Sequence, residues 1–223
     1  TDAPRFLALL DEIEASGTPL LNPPELVRWN LHKSYLKWLE ERNVSVVPTR
    51  WLDKPRQADI LVLFDVYGSD KMVIKPAIGA NAEHAHVLNK RTLEQDWPGI
   101  EPVFEHRQAM VQPFRAAIQS EGEYSVMFVD GEISHTIRKT PKPGDFRSQE
   151  EHGADITLVQ PEALLVKRAS EAVSALSLRP LSRMARKSAM GISPPVSSSR
   201  RLSDVPASSS WSEMPWRRIS LST

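Results

Sequence analysis

The sequence predicts an α+β fold in which helical segments near both ends enclose a middle part rich in strands. Apolar residues recur at helical spacing in three segments, residues 6–15, 26–42 and 161–176. In the middle, residues 123–129 and 132–139 flank the two-residue turn of Asp130 and Gly131, which is typical of a β-hairpin. Two further β-rich runs precede this hairpin.

The first elements are each marked by their turn residues. Residues 6–15 (FLALLDEIEA) stop at a Ser-Gly pair, and residues 26–42 follow a Pro-Pro pair and form one or two helices. Residues 44–48 (VSVVP) are predicted as a short strand. Residues 60–66 are apolar and β-branched, so their pattern fits either a strand or a buried turn of helix.

The next elements lead up to the hairpin. Residues 71–76 (KMVIKP) form a strand that stops at a proline, and a loop of small residues, 77–82, follows. Residues 83–93 are predicted to be helical, residues 101–104 to be a loop or short strand, and residues 109–114 to be a strand. The last predicted helix, residues 161–176, has a proline in its first turn.

Composition excludes several classes of protein. Lys plus Arg and Asp plus Glu both number 28, so the chain has no general attraction to nucleic acid or to an anionic membrane. It contains no cysteine, which excludes disulfides and thiolate metal sites and fits a cytoplasmic location. No apolar run approaches the roughly 18–20 residues of a membrane span.

The character of the chain changes at residue 177. Residues 177–223 are dominated by Ser, Arg and Pro, and their apolar residues follow neither the helical nor the strand period. Such a segment buries too little surface to offset its chain entropy, so a disordered tail is predicted. Its two arginine pairs, Arg200 with Arg201 and Arg217 with Arg218, leave nucleic-acid binding as a minor alternative.

Several side chains point to a nucleoside triphosphate as ligand. Lys75 ends a strand before the small-residue loop, where its ammonium can meet a phosphate, although a surface lysine at a strand end is a common alternative. The loop holds a single glycine and is a weak phosphate cradle. Residues 112–114 (QPF) end a buried strand whose backbone can meet an adenine edge. Glu121 or Glu123 can accept from ribose hydroxyls.

A cationic stretch follows the hairpin. Arg138 and Lys139 are adjacent on a strand and face opposite sides, so only one of them can enter a given cleft. Lys142 and Arg147 lie in the loop beyond, while His135 is more often a structural residue than a base in such a position. We therefore predict ATP as the ligand.

The order of these residues resembles the ATP-grasp superfamily, and within it the prokaryotic glutathione synthetases and the D-cycloserine-forming synthetases. The resemblance runs from about residue 20 to about residue 176. It rests on NLHKSYL around Lys33, VIKP around Lys75, the QPF segment, the acid Glu123, DGE at the hairpin tip, and RKTPKPGDFRSQEEHGA. It implies two α+β subdomains around a nucleotide cleft, with residues 1–20 a remnant of a preceding α/β domain and residues 21–176 the nucleotide-binding domain.

The resemblance also implies a chemistry. In such proteins Mg²⁺ bridges the phosphates of ATP, a substrate carboxylate takes the γ-phosphoryl group to form an acylphosphate, and an amine or thiol then displaces phosphate. By position, the nucleotide would contact Lys33, Lys75, Gln112, Pro113, Phe114 and Glu123. Lys139 and Arg147 would meet phosphate or acylphosphate, and Gln149 stands where the family often has an amide. Small-molecule carboxylates and amines are the expected partners, and a homo-oligomer is possible.

The sequence departs from the family in the segment that should bind Mg²⁺, and this departure leaves two functional hypotheses. The family carries its Mg²⁺-binding carboxylates on strands after the helix that matches residues 161–176, and residues 177–223 match neither strand. Asp204 and Glu213 are the acids of that tail. The fold is therefore expected to be incomplete at the C-terminus. The chain is either an ATP-dependent ligase, impaired by the loss of these carboxylates, or an inactive remnant that serves as a nucleotide-binding or interaction module.

Overall fold

Two antiparallel sheets, each accompanied by helices, make up the described part of the chain, which confirms the α+β prediction. The computed structural model describes residues 2–20, 22–129 and 131–177. The predicted tail beyond residue 177 and Asp130 of the predicted hairpin turn lie outside the described residues. None of the described helices is both long and apolar enough to cross a membrane.

Three helices open the chain, as the helical periodicity predicts. They are α1 (Ala3–Ala15), α2 (Pro24–Leu31) and α3 (Tyr35–Glu40). The segment predicted as one or two helices divides because His32 is extended, with φ −98° and ψ 126°, and forms an isolated β-bridge with Ile78. This break places Lys33 against Ala77 and Gly79, in the loop that follows residues 71–76.

The first sheet has the strand order β1-β4-β2-β3. Its strands are β1 (Arg50–Leu52), β2 (Lys71–Pro76), β3 (His86–Asn89) and β4 (Ala109–Pro113). Helices α4 (Gln57–Tyr67) and α5 (Leu93–Ile100) and a 3-10 helix (Glu101–Phe104) supply the other side of its core. The side chains buried in this core include Phe64, Met72, Ile74 and Phe104.

Two predictions in this region are wrong. Residues 44–48 do not form a strand. The Val44 N–H donates to the Leu39 carbonyl at 3.1 Å, and Val44 packs with Leu39, so the start of this segment is bound to the end of α3. The first strand begins only at Arg50. Residues 83–93 are not a helix. His84 has a left-handed φ of 58°, which interrupts a helix, and the apolar residues after it form β3.

Two ambiguous segments are resolved by packing. Residues 60–66 lie inside the helix α4, whose Ile60, Leu63 and Phe64 face the first sheet. The segment Glu101–Phe104, predicted as a loop or short strand, is a 3-10 helix that buries Phe104.

The second sheet has the strand order β5-β6-β7. Its strands are β5 (Glu123–Val129), β6 (Glu132–Thr140) and β7 (Asp155–Val159), of which β5 and β6 confirm the predicted hairpin and β7 was not predicted. A short helix α6 (Ala117–Ser120) precedes the sheet, and a 3-10 helix (Glu150–His152) precedes β7. The last helix, α7 (Ala163–Ser177), packs Ala169 against Val126 and Phe128 of β5.

A β-bulge in the hairpin decides which side chains share a face. Phe128 pairs with Ile133, but Met127 pairs with His135, so Ser134 is an extra residue on β6. Beyond the bulge Glu123 lies opposite Lys139, and Tyr124 lies opposite Arg138. A hairpin without this bulge would place Arg138 opposite Glu123, because each pairing beyond it would shift by one residue.

Candidate functional site

A cavity of about 240 Å³ receives side chains from both sheets. Seven predicted site residues line it: Lys33, Lys75, Gln112, Pro113, Phe114, Glu123 and Arg147. The eighth, Lys139, is not among the lining residues, but its Nζ lies 3.1 Å from Glu123 Oε1. The fold thus gathers, around one crevice, residues that are more than 100 positions apart in the sequence.

The loop between β2 and β3 forms one wall of this cavity. Its Asn81, Ala82 and His84 all have left-handed backbone, with φ of 53°, 54° and 58°. The His152 ring nitrogen Nε2 lies 3.2 Å from the Asn81 carbonyl oxygen, so the loop also touches the segment before β7. For residues with a Cβ, this conformation costs roughly 1–2 kcal/mol each, and alanine has no side-chain hydrogen bond to offset it.

We expect the Ala82→Gly substitution to raise the free energy of unfolding by up to about 1 kcal/mol, since relief of the left-handed strain exceeds the added chain entropy. Ala80→Gly is the matched control, because residue 80 is exposed in the same loop and does not have positive φ. That control should lose stability by about 0.5 kcal/mol through chain entropy alone. Urea denaturation measures both, and a loss in Ala82→Gly equal to that of the control would contradict the prediction.

Lys33 is tied to this loop through both backbone and side chain. Its N–H donates to the Ala77 carbonyl at 2.9 Å, and its Nζ donates to the Gly79 carbonyl at 2.7 Å. Burial, with a smaller contribution from the charge of Lys75, lowers the pKa of Lys33 to about 8. Lys33 is therefore a partly desolvated cation at the cavity wall, held by backbone carbonyls and not by a carboxylate.

Lys75 is a partly buried cation of the cavity wall. It lies near the end of β2, and its side chain makes no hydrogen bond or ion pair with the described residues. Burial lowers its pKa, and the charge of Glu123 opposes that shift only in part. An ammonium that has lost water, and that no carboxylate contacts as an ion pair among the described residues, attracts an anion that enters the cavity.

Glu123, Lys139 and Ser148 form a buried polar triad at the cavity, which Glu123 and Ser148 line. Glu123 Oε1 accepts from Lys139 Nζ at 3.1 Å, and Oε2 accepts from Ser148 Oγ at 2.7 Å. The three residues are only 8%, 4% and 3% exposed. Both carboxylate oxygens already hold protein donors, which gives Glu123 a structural role besides the ribose contact predicted for it.

The hydrogen-bond donors described for residues 112–114 already have acceptors within the protein. The Phe114 N–H donates to the Lys71 carbonyl at 3.1 Å, Pro113 has no N–H, and Gln112 Nε2 donates to Thr49 Oγ1 at 2.8 Å. A base edge beside this segment would therefore meet carbonyl acceptors first. Arg115 and Ile118, which sequence reasoning did not single out, also line the cavity and extend this wall beyond Phe114.

Arg147 reaches the cavity from the loop after β6. Asp145 accepts from its Nη2 at 2.8 Å and from its Nε at 3.0 Å. Hydrogen bonds from the Arg147 side chain hold the pKa of Asp145 well below its usual range, and the same pairing raises the pKa of Arg147. Asp145 and the cavity-lining Phe146 were not singled out from the sequence; an aspartate directly after Gly144, a turn pattern, was the signal for them.

The charge of the cavity favours an anion. Four cationic side chains line it, Lys33, Lys75, Arg115 and Arg147, against the two carboxylates of Glu83 and Glu123. Among the residues that the structure describes, no group of three His, Asp or Glu side chains is placed to hold a metal ion. Asp204 and Glu213, the acids of the predicted tail, lie outside the described residues.

Two α+β subdomains with a cation-lined cavity between their antiparallel sheets are the architecture of the ATP-grasp fold, and the chain shares this fold with solved ATP-grasp structures. The structure is similar to the crystal structure of D-cycloserine synthetase DcsG, with a TM-score of 0.67 and 22% identity over 78% of this chain and 60% of that one. It is also similar to D-alanyl-alanine synthetase A from Vibrio cholerae, with a TM-score of 0.57 and 16% identity over 76% of this chain and 54% of that one. A third similar structure is the ATP-grasp ligase PsnB in complex with a precursor variant, Mg and ADP, with a TM-score of 0.51 and 20% identity over 79% of this chain and 52% of that one.

Two curated proteins are similar in sequence. The cycloserine biosynthesis protein DcsG of Streptomyces lavendulae is 27% identical over 139 residues, which is 60% of this chain and 46% of that protein. The glutathione synthetase of Prochlorococcus marinus is 28% identical over 147 residues, which is 63% of this chain and 43% of that protein. The chain thus spans less than half the length of these curated relatives. No model of a protein family matches the sequence.

Proposed function

We propose that this chain binds ATP in the cavity between its two sheets and is the nucleotide-binding part of an ATP-dependent ligase. The ligase would join a carboxylate to an amine or a thiol through an acylphosphate. The observation that carries the proposal is the partly buried ammonium of Lys75, which lines the cavity and makes no hydrogen bond or ion pair with the residues that the structure describes. Similarity to DcsG and to a glutathione synthetase supports the choice of ligase class.

In this proposal each part of the cavity has a separate task. The carbonyls around Pro113 and Phe114 face the base, and Lys75 and Lys33 neutralise phosphate oxygens. Arg147 also lines the cavity, where it can hold the phosphoryl group as it passes to the carboxylate. Such a reaction depends on positioning and charge neutralisation more than on covalent chemistry by the protein.

Calorimetric titration of the chain with a non-hydrolysable ATP analogue, beside adenosine as the matched ligand without phosphates, tests the nucleotide site. If the cations act on phosphate, the analogue should bind at least about tenfold more tightly than adenosine. Equal affinities would contradict the proposal.

A second candidate function, an ATP-binding module without catalysis, is favoured by a specific observation. Lys139 and Arg147, the cations expected at the reacting phosphate, are already paired with Glu123 and Asp145. A module of this kind should bind ATP with an affinity that changes little when Mg²⁺ is chelated. Release of ADP that depends on an amino-acid substrate would reject it in favour of the ligase.

The pKa of Lys33 sets a pH dependence for binding. Its ammonium is charged at pH 7 and loses its proton as the pH rises through about 8, so ATP affinity should fall between pH 7 and pH 9. Over this range the triphosphate is already ionised and supplies no opposing change. Titrations of the Lys33→Arg variant, whose charge at residue 33 persists, should give a shallower decline, since burial also lowers the pKa of Lys75 and can contribute the remainder. An equally steep decline in that variant would show that Lys33 is not responsible.

A further inference from the structure

We propose that Asp145 is a positioning residue for Arg147: it grips one edge of the guanidinium so that the other edge is offered to a phosphoryl or carboxylate group in the cavity. The inference rests on the proposed nucleotide function and assigns a role to a residue outside the set of ligand-contacting residues. Arg147 lines the cavity, whereas Asp145 acts through it.

The hydrogen bonds identify which edge is held. Asp145 Oδ1 accepts from Arg147 Nε at 3.0 Å, and Oδ2 accepts from Nη2 at 2.8 Å, which is a side-on, bidentate pairing. A guanidinium has five N–H groups, and this pairing uses only those on the Nε side. The N–H groups of Nη1 and the outer N–H of Nη2 have no partner among the described residues. They form a second fork of the right shape for two oxygens of one anion.

The carboxylate is itself fixed by the backbone. Oδ1 also accepts the N–H of Phe146 at 2.7 Å and the N–H of Arg147 at 3.0 Å, so Asp145 closes a turn as well as a salt bridge. Its own carbonyl accepts from Gln119 Nε2 at 3.0 Å, and its N–H donates to the Lys142 carbonyl at 2.9 Å. The pair of Asp145 and Arg147, here called the clamp, therefore lies on a segment that is hydrogen-bonded to α6.

The second anchor lies on the other side of Arg147. Ser148 Oγ donates to the buried Glu123 at 2.7 Å, which fixes the chain directly after the arginine. Arg147 is thus held between two attached residues, while its side chain remains 39% exposed and open to the cavity. An arginine whose rotamer is already selected loses less conformational entropy when it binds an anion, and that difference appears as affinity.

This arrangement predicts that the clamp affects phosphate recognition and leaves the base and ribose contacts unchanged. Asp145→Asn is the most direct variant, because asparagine keeps an oxygen for the two backbone N–H groups and loses the ion pair with the guanidinium. Adenosine affinity should then stay within about twofold of the wild type, while affinity for the ATP analogue should fall about tenfold. Glu150→Gln, an exposed acid in the same segment, is the matched control and should change neither.

A double-mutant cycle with Arg147→Ala separates positioning from a general effect on the loop. In the Arg147→Ala background, Asp145→Asn should cause no further loss of ATP-analogue affinity. An additional tenfold loss in that background, or an equal loss for adenosine and the analogue in Asp145→Asn alone, would overturn the inference. Unchanged analogue affinity in Asp145→Asn would also overturn it. Absence of analogue binding by the wild-type chain is a separate result, which would remove the proposed function itself.

Discussion

Replacing Lys75 with methionine is expected to reduce the affinity for an ATP analogue by at least about tenfold, because it removes a partly buried cavity cation that makes no ion pair with the described residues. The same substitution should not destabilise the fold. A partly buried ammonium that forms no ion pair costs free energy in the folded state. The methionine variant should therefore have the same free energy of unfolding as the wild type, or one that is about 1 kcal/mol higher. Affinity for the analogue would then fall without a loss of stability.

Calorimetry and urea denaturation of the same preparation measure the two effects. Lys90→Met is the matched control, because Lys90 is an exposed lysine of the same subdomain, and its Nζ pairs with Asp65 at 2.5 Å. It should retain wild-type affinity for the analogue. If Lys75→Met and Lys90→Met bind equally well, Lys75 is not a ligand for the nucleotide and the proposed function loses its main support.

The Glu123→Gln substitution is expected to lower the free energy of unfolding by about 3 kcal/mol, since it leaves the Lys139 ammonium buried without its countercharge. Glutamine keeps the size of the side chain and can still accept from Ser148, so the loss isolates the charge. Glu121→Gln is the control at an exposed acid two residues earlier, where a change within about 0.5 kcal/mol is expected.

A double variant tests whether the pairing itself is the cause. Glu123→Gln combined with Lys139→Met should recover most of the lost stability, because neither buried charge is then present. Urea denaturation of the single and double variants provides the measurement. If the double variant is as unstable as the sum of the two single variants, the ion pair is not what stabilises this part of the second sheet.

Local patterns were sufficient where a segment packs in the way its own periodicity requires. The hairpin, the strand Lys71–Pro76 and the last helix are examples, because each has one apolar face and marked turn residues at its ends. Residues 44–48 and 83–93 failed for the opposite reason. In both segments a residue with left-handed backbone, Asn43 or His84, redirects the chain, and distant partners decide what the following apolar residues cover.

The predicted site residues followed from chemistry and chain order, but their pairing did not. From the sequence, Arg138 and Lys139 were alternatives for the face that enters the cleft. The extra residue in β6 at Ser134 decides which of them lies opposite Glu123, because a one-residue shift exchanges the two faces of a strand. A bulge of this kind depends on how the hairpin packs, so alternation alone does not reveal it.

By itself, the sequence determined the α+β class, the superfamily resemblance and the set of cations and acids predicted to surround a nucleotide, because turn residues, periodicity and the order of charged residues are local properties. Only the tertiary structure decided the state of each charge. It pairs Lys139 with Glu123, clamps Arg147 against Asp145, ties Lys33 to backbone carbonyls and partly buries Lys75 without an ion pair among the described residues. The reason is physical: desolvation and ion pairing depend on distances between residues that folding brings together, and periodicity along the chain carries no information about those distances.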